Sequence, residues 1–242
     1  MFEIVYGKEG TSDYMELASP DKRQGIVTKQ FPVIRALLYP WESRLESKPM
    51  VFCFTNGTNY KVLSCIKWLA GRAGNYFAQH LFFEDGDELI AAGPAWLIKR
   101  RRFYIETLTD WSKRDKDKTE KHDWKPIIRP SNYCIGEKNF DQNIEDKIKD
   151  IADKWNRNNE QTSNSKFVLL FDPALHNDEY RLDLLYELYA RIDTEKRWRY
   201  SFCTFDGKRS QPPPRWDLVF VAADDKQTQD YYTKEKYDFF DL

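Results

Sequence analysis

Histidine and cysteine are the scarce reactive side chains of this 242-residue chain, with three of one and four of the other. His80 stands out, because it sits beside Gln79 in an otherwise apolar run over residues 76–84. An imidazole can take the proton of a nearby thiol and leave a nucleophilic thiolate. Cys53 and Cys65 lie in neighbouring apolar runs, so a Cys/His hydrolase centred on His80 is one reading. The other is a part-buried imidazole hydrogen-bonded to backbone. No third residue that would orient the ring can be picked out from the sequence, although such a site requires one.

Other groups carry weaker chemical signals. Arg72 and Asn75 lie between and beside Gly71 and Gly74, a loop able to approach an anion through backbone N–H groups. Its spacing is not that of a P-loop, and a tight strand connection needing glycine at positive φ explains it equally. Lys99–Arg102 is a run of four cations followed by Phe103 and Tyr104. Basic residues interleaved with aromatics can contact nucleic acid, but they can also form a solvated edge that blunts sheet-to-sheet association. Glu84, Asp85, Asp87 and Glu88 surround Gly86 without the spacing of a calcium loop. Asp172-Pro173 follows an apolar run like a strand-end acid of an α/β unit. The cysteines, Cys53, Cys65, Cys134 and Cys203, show no CxxC spacing. We expect no metal and no cofactor.

These residues must be held by elements that the pattern predicts. Residues 2–6 and 14–18 read as short strands. Val51–Leu69 has β-branched and aromatic residues on both sides of Asn56-Gly57, a hairpin signal. A short helix over 60–70 is the competing reading. With the run 76–84, these arms predict a three-stranded antiparallel meander. Gly93–Leu97 reads as a turn with an apolar plug. Residues 112–125 are dense in both charges and predict an exposed loop or linker. Ile144, Ile148, Ile151 and Trp155 mark one face of an amphipathic helix. A strand over 167–171 comes next, followed by a helix with a Tyr180, Leu184, Leu188 and Ile192 stripe, widened by Leu185 and Tyr189. Its start can be capped by Asn177 or Asp178. Strands are expected over 198–205 and 216–222, and the tail beyond Asp224 is polar and then aromatic. The predicted class is α+β, mainly antiparallel sheet in the N-terminal half with a smaller α/β unit in the C-terminal half. The expected regions are a β-rich part over 1–110, a charged linker and amphipathic helix over 111–165, and the α/β unit with its tail over 166–242.

Composition narrows the function classes. A net charge of −1 provides no global basic field for nucleic acid or an anionic membrane. No apolar stretch is long enough to span a bilayer, and the N-terminus lacks signal-peptide character. The expected compartment is the cytoplasm. Aromatic residues reach 16%, a content that suits protein interfaces.

Gly71, Arg72, Gly74, Asn75, Tyr76, Phe77 and Ala78 together form a segment that resembles the Gly-Arg-x-Gly-Asn-aromatic-Phe-Ala piece of the bacterial GTPase-associated protein 1 family, in its N-terminal region. Further similar pieces follow in the same order: IVYG with LASP, GPAWL, and RYSFCTF leading to WDLVFVA. The family often has histidine where this chain has Gln79, with His80 one place along, which in a strand is the opposite face. That departure favours a structural role for the motif. The resemblance implies a component of a bacterial conflict or antiviral defence system, encoded beside a GTPase. It implies a non-enzymatic adaptor or regulator of a partner NTPase. Interaction anchors are then expected at Trp96, Arg100, Arg101, Arg102, Tyr231, Tyr232, Phe239 and Phe240, since binding hot spots favour Trp, Tyr and Arg.

Overall fold

The computed structural model describes residues 2–7, 15–18, 50–55, 60–68, 76–84, 93–100, 139–158, 165–206 and 216–242. The Gly71–Asn75 loop, the Asn56-Gly57 turn, the acids at 85–88, Arg101, Arg102, the charged stretch 112–125 and Cys134 lie outside them.

Five strands come from the first half of the chain. They are β1 (Phe2–Gly7), β2 (Met15–Ala18), β3 (Met50–Thr55), β4 (Tyr60–Trp68) and β5 (Tyr76–Glu84). β3, β4 and β5 pair antiparallel in sequence order as a meander, and β1 joins the far side of β5. The run 60–68 is therefore a strand and not a helix. Val62, Leu63, Ser64 and Cys65 are all buried, so both faces of this strand are covered and its polarity does not alternate.

The Gly93–Leu97 plug is helix α1 (Pro94–Arg100), where a turn was expected. Gly93 adopts φ 80° just before it, and proline at the first helical position costs no hydrogen bond. Ala95, Trp96 and Leu97 are buried. Helix α2 (Gln142–Arg157) starts at Asp141, whose side chain accepts a 2.9 Å bond from the Ile144 N–H. Its Ile144, Ile148, Ile151 and Trp155 stripe is buried as the spacing predicts.

The rest of the chain builds a parallel set. Its strands are β6 (Phe167–Phe171), β7 (Phe202–Asp206), β8 (Leu218–Ala222) and β9 (Asp238–Asp241), with helix α3 (Asp178–Ala190) between β6 and β7 and helix α4 (Lys226–Lys234) between β8 and β9. The nine strands among the described residues form one sheet, ordered β2-β1-β5-β4-β3-β7-β8-β6-β9. The chain thus combines helices with sheet, its C-terminal half contributing four parallel strands. The β7 strand begins at Phe202, because Trp198–Tyr200 form turns there, and β8 begins at Leu218. The tail, polar and then aromatic in sequence, folds as α4 followed by β9.

Register and contacts assign the helices to faces. Phe167 meets Trp155 of α2, and Phe202 meets Tyr189 of α3, so these two helices cover one face. Tyr232 of α4 reaches Asp206, the register partner of Val221, on the other face. Trp155 also stacks on Tyr200 with centroids 4.1 Å apart and planes 4° from parallel. Such a pair adds about 1 kcal/mol beyond the area it buries.

Candidate functional site

His80 lies on β5 directly across from Ser64 on β4. Register partners share a face of the sheet, so the two side chains meet, with Ser64 Oγ 2.7 Å from His80 Nδ1. Ser64 is 0% exposed and His80 is 1% exposed. Burial drives the imidazole well below its ordinary value, to about 3, so the ring is neutral at physiological pH. Its Nε2 is buried and has no hydrogen-bond partner among the described residues.

A hydroxyl beside an imidazole is the first half of a nucleophile and base pair. The second half is a group that orients the far nitrogen, and among the described residues that nitrogen has no hydrogen-bond partner.

The expected thiol partners are displaced by the pleat. Cys65 is the register partner of Gln79, one residue from the Ser64 row and therefore on the opposite face. Cys53 pairs with Leu63, again off the His80 row. The hydrolase expectation placed Cys53 or Cys65 beside His80, and the register corrects it. Cys203 does share the row, through Phe52, but lies two strand spacings from Ser64, about 10 Å. Its Sγ meets the Phe205 carbonyl oxygen at 3.1 Å.

Of the motif residues, Tyr76 and Phe77 open β5 opposite Trp68 and Lys67. The interaction candidates divide. Trp96 is 5% exposed and Tyr232 is fully buried, so neither is the surface anchor expected of it. Trp96 sits on α1, which packs against α3, and Tyr232 turns its hydroxyl to Asp206 of the sheet. Tyr231, Phe239 and Phe240 are half-buried against the core, and Arg100 ends α1.

The carboxyl ends of the parallel strands form a second candidate region. In open α/β sheets, ligands settle where connections leave adjacent strands towards opposite faces. Here β6 connects through α3 to β7, and the adjacent β8 connects through α4 to β9. The polar groups at this end have structural partners, however. Asp172 accepts from the Ala174 N–H at 2.8 Å, and Asp206 is hydrogen-bonded by the Tyr232 hydroxyl. Arg181 is buried, with its guanidinium 4.3 Å over the Phe171 ring, bonded to the His176 carbonyl and paired with Asp178. Arg181, Asp183 and Glu187 are polar residues buried inside α3, and the hydrophobic stripe alone did not reveal them. For Arg181 and Glu187 the signal was the i, i+3 and i, i+4 charge spacing of Asp178 with Arg181 and Glu187 with Arg191.

Among the described residues, no group of three or more His, Cys, Asp or Glu is placed to hold a metal ion. No helix among them is long and apolar enough to cross a membrane. Comparison with protein-family models, with curated proteins and with solved structures yields no match to this chain.

Proposed function

We propose that this chain is a non-enzymatic protein-interaction module. It acts as an adaptor or regulator of a partner NTPase in a bacterial conflict system, as the resemblance of the Gly71–Ala78 segment to GTPase-associated protein 1 implies. One observation carries the non-enzymatic part. The only histidine singled out for chemistry is sealed against Ser64, neutral, with its second nitrogen unpaired and both expected thiols in other register rows. That arrangement suits a polar pair that specifies strand register better than it suits turnover.

The test of the partner is an affinity pull-down from the native host, with and without GTP, read by mass spectrometry. A stoichiometric GTPase supports the adaptor reading, and its nucleotide dependence reports which state is read. An eluate without an NTPase counts against it. The test of the chemistry is a serine-directed fluorophosphonate probe on the folded protein. Ser64 should remain unlabelled, and labelling that His80→Phe abolishes would overturn the non-enzymatic reading in favour of a serine nucleophile.

A further inference from the structure

The last strand, β9, is the edge of the sheet among the described residues. Its backbone orientation follows from two bonds. The Asp238 N–H donates to the Lys166 carbonyl and the Leu242 N–H to the Leu170 carbonyl, both at 2.9 Å. A strand residue turns its N–H and C=O to the same side, and the side alternates. Asp238, Phe240 and Leu242 therefore face β6, while Phe239 and Asp241 turn their backbone groups outwards.

That edge is acidic. Asp238 and Asp241 are exposed, and by alternation their side chains project from opposite faces of the strand. Helix α2 answers each with a lysine. Lys147 Nζ donates to the outward Asp241 carbonyl, and Lys154 lies 3.8 Å from the Asp238 carboxylate and 5.7 Å from the centre of the Phe240 ring. Lys147 thus occupies part of the hydrogen-bonding row that an incoming strand would use, while Lys154 pairs with the Asp238 side chain. Lysine at an edge is a known means of discouraging unwanted pairing.

We infer that the β9 edge is a strand-addition site for an extended, lysine- or arginine-bearing segment of a partner protein, with Lys147 as the internal group it displaces. This deepens the interaction-module reading and rests on it. Charge complementarity selects the occupant. A basic strand meets an acid on each face of β9, Asp241 on one and Asp238 on the other, where it competes with Lys154 for the carboxylate. Backbone bonds at Phe239 and Asp241 would supply affinity and the flanking acids specificity.

The probe is a capped peptide of alternating lysine and valine, with a glutamate-for-lysine version as control. Hydrogen exchange is read at the Phe239 and Asp241 amides. The lysine peptide should protect both and the control neither. Asp241→Pro removes an outward N–H without touching the ladder to β6, and should abolish protection of the Phe239 amide, the one reporter left in that variant. Asp241→Asn keeps the N–H and should only weaken binding. Lys147→Met frees the carbonyl and should tighten binding about fivefold, the worth of one ordinary hydrogen bond. Circular dichroism shows whether each variant is folded, and the Asp241→Asn and Lys147→Met shifts carry the test if Asp241→Pro is not. Absence of protection in both the parent and Lys147→Met overturns the inference. So does equal binding by folded Asp241→Pro, or a dimer that forms through this edge without peptide. A native-host NTPase that Asp241→Pro still captures would remove the edge and leave the module reading intact. Peptide protection with no NTPase recovered would do the reverse.

Discussion

His80 and Asp217 are buried titratable groups whose shifts oppose each other. His80 has a folded value of about 3 against an ordinary 6.5, so its neutral form supports the fold above pH 6.5. That support is lost as the pH falls towards 3. Between pH 7 and pH 4 the His80 contribution to the loss is on the order of 3 kcal/mol. Burial raises the Asp217 carboxyl, although Ser201 N–H and Oγ–H bonds, both 2.7 Å, restrain the shift. Its cost in charged form lessens as the pH falls, so it runs against His80. Urea unfolding at the two pH values separates them. The double variant Ser64→Ala/His80→Phe should lose about 3 kcal/mol less than the parent on acidification, and an equal loss would discard the assignment. Tyr232→Phe, which deletes the hydroxyl bonded to buried Asp206, should cost about 2 kcal/mol in the same assay. None of this was legible from residue types. Ser64 reads as one polar position in an alternating strand, and only the β4–β5 register places it against His80.

Among elements, those with a strong periodic stripe were legible and those with a mixed one were not. Helix α2 shows four apolar residues on one face and a capping aspartate, so pattern and fold agree. The tail shows no such stripe: α4 buries Thr228, Gln229 and Tyr232, and β9 has only four residues. Its order comes from specific polar contacts. Asp225 caps the helix start through the Thr228 N–H, and Gln229 bonds the Ala222 and Ala223 carbonyls. The helix then ends in a Schellman motif, with Lys236 N–H to the Thr233 carbonyl and Tyr237 N–H to the Tyr232 carbonyl. Lys236 occupies the left-handed position at φ 62°, a site glycine adopts without a Cβ penalty. Lys236→Gly should therefore stabilise the protein by up to about 1 kcal/mol, measured as a raised denaturant midpoint at unchanged slope. A loss would mean that the lysine side chain contributes more than its backbone strain costs.

Over the whole molecule, one sheet joins an antiparallel half to a parallel half through a narrow seam. The β3–β7 pairing rests on two register pairs, Phe52 with Cys203 and Cys53 with Phe202. So short a ladder holds few hydrogen bonds, and side chains must carry much of the coupling. Helix α1 packs against α3, and Phe83 of β5 meets Trp198 with ring centroids 5.4 Å apart. Trp198 is buried and belongs to the C-terminal half, whereas Phe83 belongs to the N-terminal half, so this contact crosses the seam. The join was not legible in the sequence, because a pairing between strands some 150 residues apart leaves no local pattern. Deleting the indole should cost about 3 kcal/mol through lost burial and the cavity left behind. The cost should fall on the coupling between the halves. The parent should unfold in urea in one transition, coincident by far-UV circular dichroism and by fluorescence. Trp198→Ala should separate the two probes, with one half unfolding first. If its transition only shifts and stays coincident, then α1 on α3 and the β3–β7 ladder suffice to bind the halves into one cooperative unit.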